Sequence, residues 1–141
     1  LSNNSAIVEI KTPNTKLLSA KPYRGGIYGP SNELNGAVSQ ILDQIHLFQR
    51  DINTLKASSK QYDIESYAVH GVLIVGITPV TTEEQKSFEL FRGNSKSIQI
   101  ITFDELLQKL KDLYDFLKPA DHPREKTTRP VNSAPDEELP F

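Results

Sequence analysis

Hydrophobic residues change their spacing along the chain, and each spacing predicts a secondary-structure element. Residues 6–11 alternate apolar and polar side chains, which predicts a strand that the following proline ends. From Ser31 or Asn32, apolar residues recur every three or four positions as far as Leu55, which predicts a helix of about six turns. Residues 56–68 are polar and predict a loop.

The rest of the pattern continues this order with shorter elements. Residues 70–78 are apolar on both faces, which predicts a central strand covered on both sides. A second helix is expected to begin with a capping box at Thr81 and to end at Gly93. Residues 97–102 alternate as a strand, and an amphipathic helix is expected to follow through about Leu117. The alternating order predicts an α/β sandwich around a mixed sheet, flanked by helices.

Composition and charge divide the chain into two parts. The 141 residues, 37% of them hydrophobic, are enough for one domain. Residues 119–141 are rich in proline and poor in large apolar side chains, so disorder is expected there. The formal net charge of the chain is -2. Residues 119–141 carry three basic and five acidic side chains, so the net charge of residues 1–118 is zero. We therefore predict a domain at residues 1–118 and a Pro-rich acidic tail at residues 119–141.

Several absences narrow the class of protein. No apolar run approaches the roughly 20 residues of a membrane helix, so no membrane association is expected. The chain has no cysteine, which excludes disulfides and thiolate metal sites and fits a reducing compartment; we expect a cytoplasmic protein. The three histidines are scattered, and none has the spacing of a zinc site.

A pair of opposite charges lies on the first predicted strand. At a period of two residues, Glu9 and Lys11 share one face, so their charged groups can converge beside the sheet. Mg²⁺ or Mn²⁺ prefers oxygen ligands, and Glu9 with the backbone carbonyl of Ile10 offers two. Lys11 can orient or deprotonate an attacking water, and Gln40, at the margin of the apolar stripe of the next helix, can hold the water or the metal shell. The pattern suits metal-dependent phosphodiester hydrolysis; an amphipathic strand with both groups in solvent is the alternative.

The segment after this strand is positively charged. Residues 11–24 contain four basic side chains and no acidic one. We expect three basic side chains of the loop at residues 14–31 to contact DNA backbone phosphates: Lys16, Lys21 and Arg24. Such contacts position a duplex without reading its sequence. Tyr23 and Tyr28 can stack there or donate hydrogen bonds. An ordinary exposed loop is the alternative.

Four blocks of the sequence together carry a resemblance to a known family. They are VEIKTPNTKLL, YRGGIYGPSNELNGAVSQIL, GVLIVGITPVTTEEQKSFELFR and IQIITFDELLQKL, within residues 6–117. They resemble the C-terminal domain of the Shedu family of bacterial anti-phage proteins, in the PD-(D/E)xK nuclease superfamily. The resemblance implies a restriction-endonuclease-like sandwich, a Mg²⁺-dependent DNA endonuclease and self-association. It also implies that Glu9 and Lys11 are the (D/E)xK half of the motif and Gln40 the glutamine of the following helix; Glu33 receives no firm role.

The sequence departs from the superfamily pattern at one point. The first acidic residue of the motif is expected on the strand before Glu9, and residues 1–8 contain no Asp or Glu. We expect that this residue precedes Leu1 and that the N-terminal part of the core is missing from the chain. The alternative is a catalytically inactive module of the same fold that binds DNA or a partner protein.

The final residues, PDEELPF, raise a separate hypothesis. They resemble the tip of bacterial single-stranded DNA-binding proteins, which docks on repair and replication enzymes. In that interpretation Leu139, Pro140 and Phe141 enter an apolar pocket of a partner protein, and the upstream acids steer association with a basic rim. A solvated tail with a chance ending is the alternative.

Overall fold

The computed structural model describes residues 4–60, 66 and 68–118. Strands and helices alternate along this part of the chain in the order β1 (Asn4–Ile10), α1 (Asn32–Ser59), β2 (Ala68–Ile74), α2 (Thr82–Asn94), β3 (Ile98–Ile101) and α3 (Phe103–Leu117). The predicted α/β class is confirmed. The predicted tail at 119–141, with Leu139, Pro140 and Phe141, lies outside the described residues.

The described strands form one parallel sheet in the order β1-β2-β3. Glu9 lies opposite Leu73, and Leu73 lies opposite Ile100. A helix connects each strand to the next, which is how parallel neighbours must be joined. The prediction of a mixed sheet is therefore wrong for the described strands, because none of their connections is a hairpin that would bring an antiparallel neighbour.

The core lies between one face of the sheet and the helices α1 and α2. The N-terminal half of the predicted apolar stripe of α1 is buried there, together with inward side chains of the sheet and one aromatic ring from α2. The buried apolar residues are Leu17, Leu34, Ala37, Ile41, Ile45, Leu73, Val75, Phe88, Ile98 and Ile100. Helix α1 approaches β2 closely at Gly71, where a Cβ would lie only 3.1 Å from Ile45 Cδ1 and 3.2 Å from Ile41 Cδ1. This close approach fixes α1, and the side chains it carries, against the sheet.

The predicted helix starts are confirmed by their caps. The Ser31 hydroxyl accepts a hydrogen bond from the backbone N–H of Leu34 at the start of α1. Thr81 begins α2 with a capping box, and at the start of α3 the backbone N–H of Thr102 donates to Glu105 Oε2 at 3.0 Å. Each start satisfies backbone donors that a helix leaves without partners.

Two predicted helix ends were wrong. Helix α1 continues to Ser59, beyond the predicted end at Leu55, and ends at Lys60, which itself adopts the left-handed conformation with φ of 55°. Helix α2 includes Gly93 and ends at Asn94, so Gly93 is not its cap. Polar composition did not end α1, because a helix exposed on most of its surface tolerates polar residues in its last turns.

The opposite face of the sheet is open within the described residues. Val8 and Ile10 are 51% and 62% exposed, and Val72 and Ile74 are half-buried. The prediction that β2 is covered on both sides is wrong for this part of the chain, because α1 covers only the face that carries Leu73.

Helix α3 also has an open apolar surface. None of its residues is buried, although its apolar side chains recur every three or four positions. The exposed members, which we call the α3 stripe, are Leu107, Leu110, Leu113, Tyr114 and Leu117. None of the described helices is long and apolar enough to cross a bilayer.

Candidate active site

The candidate site lies where β1 faces α1. Along β1, the half-buried side chains of Ile7, Glu9 and Lys11 alternate with the exposed side chains of Val8 and Ile10, as the period of a strand requires. The Glu9 side chain is 16% exposed and that of Lys11 is 31% exposed. Both side chains are therefore shielded from solvent in part.

The two charged groups converge with a residue from α1. Lys11 Nζ lies 2.8 Å from Glu9 Oε1 and donates a hydrogen bond to Gln40 Oε1 at 2.9 Å. An ammonium group has three N–H donors, so one remains for a phosphate oxygen or a water. The structure thus brings together the three side chains for which the sequence predicted a catalytic role; the role itself stays a prediction.

The backbone of β1 adds a second oxygen near this cluster. The backbone N–H of Lys11 donates to the carbonyl of Ile74 at 2.9 Å, and alternate residues of a parallel strand bond to the same neighbour. The carbonyl of Ile10 consequently points away from β2, toward the edge of the described sheet. Within the described residues, Glu9 Oε2 takes no hydrogen bond, so one carboxylate oxygen and one carbonyl are available.

These oxygens fit a small hard cation in part. Mg²⁺ is typically held by one or two carboxylates together with waters and substrate phosphates, and Glu9 with the Ile10 carbonyl matches the lower end of that range. No group of three or more His, Asp or Glu residues that could hold a metal exists among the described residues. The described donor set therefore suits a cation that the substrate and water help to hold.

Glu33 does not join this cluster. Its Oε2 accepts a hydrogen bond from the backbone N–H of Lys16 at 2.9 Å. His46 and His70 are exposed. The described histidines and Glu33 are therefore not part of the candidate site.

A comparison with known proteins identifies the family. Residues 2–107 match the protein family described as "Shedu protein SduA, C-terminal". The chain belongs to the Shedu family. It is 36% identical over 124 residues to the Shedu protein SduA of Bacillus cereus (strain B4264), a match that covers 83% of this chain and 32% of that relative. The chain thus spans about a third of the length of the curated relative, and the family match includes Glu9, Lys11 and Gln40.

The basic segment of this Shedu domain folds as an ordered hairpin-like loop, residues 11–31, which we call the connecting loop. Leu18 and Pro30 form an antiparallel bridge, and the backbone N–H of Ser19 donates to the carbonyl of Gly29 at 2.9 Å. At the tip, the N–H of Tyr23 donates to the carbonyl of Ile27 at 2.8 Å. The order of this loop was not apparent from its sequence, because its bonds join residues that are up to fifteen positions apart.

The side chains predicted to contact DNA lie on this loop in two places. Lys16 lies at its base, beside the start of α1, whereas Lys21, Tyr23 and Arg24 lie toward its tip. All four are exposed, and Tyr23 is exposed to 89%. Tyr28 is half-buried, and its N–H donates to Ser87 Oγ of α2 at 3.0 Å, which ties the loop to the body. Contact of these side chains with DNA stays a prediction.

A second polar cluster lies where β2 and β3 end. Asp104 Oδ1 accepts from the backbone N–H of Thr78 at 3.0 Å, and the hydroxyls of Thr78 and Thr102 lie 2.9 Å apart. Partial burial opposes ionisation of Asp104, but hydrogen bonds from Thr78 and Thr102 outweigh it and lower the pKa of the carboxyl to about 2. The cluster joins the end of β2 to the start of α3, and its groups are satisfied by one another, which indicates a structural role.

Proposed function

We propose that this Shedu chain is the nuclease domain of a bacterial anti-phage defence protein, which hydrolyses DNA phosphodiester bonds with Mg²⁺ or Mn²⁺ in the cytoplasm. One observation carries the proposal: Lys11 contacts both Glu9 and Gln40, and these three side chains come from two segments that are distant in sequence. The family to which the chain belongs supports the same function. Glu9 and Lys11 fit the (D/E)xK half of the superfamily pattern, which also supports it.

The residues of the cluster have distinct tasks in this proposal. Glu9 and the carbonyl of Ile10 hold a divalent cation, which would polarise the scissile phosphate and acidify a bound water. Lys11 presents its third N–H to a phosphate oxygen or to the attacking water, and so offsets charge that develops on phosphorus. Gln40 fixes the ammonium group through its amide oxygen. Lys16, Lys21 and Arg24 hold the duplex through its phosphates, with Tyr23 beside them.

The catalytic assignment is tested by plasmid nicking with the full-length protein in Mg²⁺ and in EDTA. Glu9→Ala and Lys11→Ala should abolish nicking and leave the circular-dichroism spectrum unchanged. The matched control is Lys86→Ala, because Glu84, Gln85 and Lys86 repeat the same Glu-x-Lys spelling on α2, where about 200° separates the first and third side chains. Normal nicking by both site variants would remove the catalytic assignment.

Metal binding is tested independently of activity. Mn²⁺ is paramagnetic and should broaden the NMR signals of residues 9–11 and of the Gln40 side chain, and Glu9→Gln should remove this effect. Broadening that is equal in wild type and Glu9→Gln would show that the cation binds elsewhere.

A second function is favoured by one observation. Among the described residues no other carboxylate joins Glu9, so the described part of the site holds a cation weakly. The alternative is therefore a non-catalytic module that binds DNA or a partner protein, with Leu139, Pro140 and Phe141 as a docking peptide. An Asp on a strand upstream of Leu1 in the native sequence would support the nuclease; unchanged partner pull-down after deletion of the last two residues would reject the docking peptide.

Self-association is the remaining part of the proposal. The α3 stripe is exposed over the length of its helix, and exposed apolar surfaces of this kind mark interaction sites. We propose that a second copy of the chain covers it.

A further inference from the structure

The base of the connecting loop is fixed to the first turn of α1. The backbone N–H of Lys16 donates to Glu33 Oε2 at 2.9 Å, and the Ser31 hydroxyl donates to the carbonyl of Lys16. The next residue is held as well: the N–H of Ser31 donates to the carbonyl of Leu17 at 3.0 Å. The Leu17 side chain is 5% exposed and packs where a Cβ on Gly76 would lie 2.7 Å from its Cδ2. Both peptide groups of Lys16 are therefore clamped.

The side chain of Lys16, in contrast, is exposed. Within the described part of the chain its ammonium forms no ion pair. A cation on a fixed backbone loses less conformational entropy when it meets a phosphate than one on a mobile loop. Lys16 is thus preorganised to bind an anion, because its backbone is held in place and its ammonium is exposed. The carboxylate of Glu33 is one of the groups that hold this backbone.

The spacing along α1 relates this contact to the candidate site. Glu33 and Gln40 are seven residues apart, which is about 10 Å along the helix axis and nearly the same angle around it. The backbone of Lys16 is hydrogen-bonded to Glu33, and the ammonium of Lys11 is hydrogen-bonded to Gln40. One DNA strand carries a phosphate for about every 3.4 Å of duplex axis, so an offset of about 10 Å is within the reach of phosphates a few nucleotides apart.

We propose that Glu33 is a positioning residue for DNA: it holds the Lys16 backbone so that the Lys16 ammonium binds a phosphate a few nucleotides from the bond that Lys11 faces. The inference rests on the proposed function, since it takes DNA as the substrate. The carboxylate acts through the loop and touches neither the cation nor the scissile bond. A hydrogen bond to an ionised acceptor is stronger than a hydrogen bond to a neutral acceptor. The carboxylate of Glu33 is therefore well suited to hold the backbone N–H of Lys16.

The test compares the binding of a fluorescent DNA duplex, in EDTA, by the wild-type full-length protein and by five variants. Lys16→Ala should weaken binding several-fold and reduce the slope of log K against log salt by about one. Glu33→Ala should produce a similar loss, and the double variant should bind no more weakly than Lys16→Ala alone. Glu33→Gln keeps an acceptor oxygen and should restore most of the affinity. Asp43→Ala removes an exposed carboxylate from the same helix and is the matched control.

Two results would overturn the inference. Losses that add in the double variant would show that Glu33 does not act through Lys16. In nicking assays over a range of DNA concentrations, a Glu33→Ala variant with lower kcat and unchanged KM would place Glu33 in the chemistry instead.

Hydrogen exchange separates this inference from the proposed function. The amide of Lys16 should exchange faster in Glu33→Ala than in wild type or Glu33→Gln, whether or not DNA is the substrate. If that exchange rises and DNA affinity does not change, the inference fails alone. If the wild-type protein binds no duplex, the proposed function fails and the inference fails with it.

Discussion

Lys11 Nζ donates a hydrogen bond to Gln40 Oε1 at 2.9 Å, across 29 residues of sequence and between a strand and a helix. The bond limits the rotation of the ammonium group, which also lies 2.8 Å from Glu9 Oε1. With two donors occupied, the direction of the third is largely determined. Gln40 therefore orients the group that faces the substrate in our proposal.

The first prediction concerns this orientation. Gln40→Ala removes the acceptor but keeps the charge pair, so we expect nicking to slow by about 10- to 100-fold, the usual effect of removing a group that orients a catalytic residue. Gln49→Ala, an exposed glutamine later on α1, is the control and should nick as wild type does. Nicking assays with both variants check the prediction, and an undiminished rate in Gln40→Ala would show that Lys11 needs no such support.

The sequence predicted the cluster because each step is local. The period of a strand places Glu9 and Lys11 on one face, and the period of a helix places Gln40 at the margin of its apolar stripe. The three side chains then meet once α1 packs on the sheet beside β1. The apolar stripe of α1 indicated that this helix packs on a partner through one face. The caps at Ser31, Thr81 and Thr102 are equally local, and the helix starts that they mark agree with the predicted ones.

Features that depend on distant partners were not predicted. Strand pairing is decided by which segments meet in space, so the parallel sheet was predicted as mixed. The role of Glu33 depends on a bond to the backbone of Lys16, and a backbone group has no signature in the sequence. The open faces at Val8 and along α3 are likewise invisible, because an apolar pattern predicts burial without naming the surface that provides it.

A second prediction concerns Gly76, which follows β2. Its φ is +61°, and a Cβ there would lie 2.7 Å from Leu17 Cδ2 and 2.8 Å from the carbonyl oxygen of Thr15. Gly76→Ala should lower the free energy of unfolding by about 2 kcal/mol or more, because left-handed strain and displacement of Leu17 act together. Gly36→Ala, where a Cβ meets nothing within 4 Å on α1, should instead raise it by about 0.5–1 kcal/mol. Urea unfolding of both variants checks this; similar stabilities would contradict the packing at Leu17.

The third prediction concerns acid stability. The pKa of Asp104 is about 2 in the folded protein, below its usual 3.8, so its ionised form stabilises the fold above about pH 4. This contribution should be lost as the pH falls from about 4 through 2, because the carboxyl is protonated first in the unfolded chain and then in the folded protein. Asp104→Asn should reduce the free energy of unfolding at pH 7 by no more than about 1 kcal/mol, since solvent screens this exposed group. The deficit should become steadily smaller below pH 4 and be mostly lost near pH 2.

Urea unfolding of wild type and Asp104→Asn at pH 7, 4 and 2.5 measures this change. Asp43→Asn is the control, because its carboxylate is exposed on α1 and lacks the hydrogen bonds that Asp104 accepts from Thr78. A deficit of constant size across this range would show that the charge of Asp104 is not the stabilising feature.

The last prediction concerns the α3 stripe and a second copy of the chain. Leu110→Asp combined with Leu113→Asp should reduce the mass measured by light scattering. The midpoint of thermal unfolding of the dissociated protein should stay nearly unchanged, because both leucines are more than half exposed. Lys111→Ala, on the polar side of α3, should keep the wild-type mass; an unchanged mass in the double leucine variant would exclude α3 from the interface.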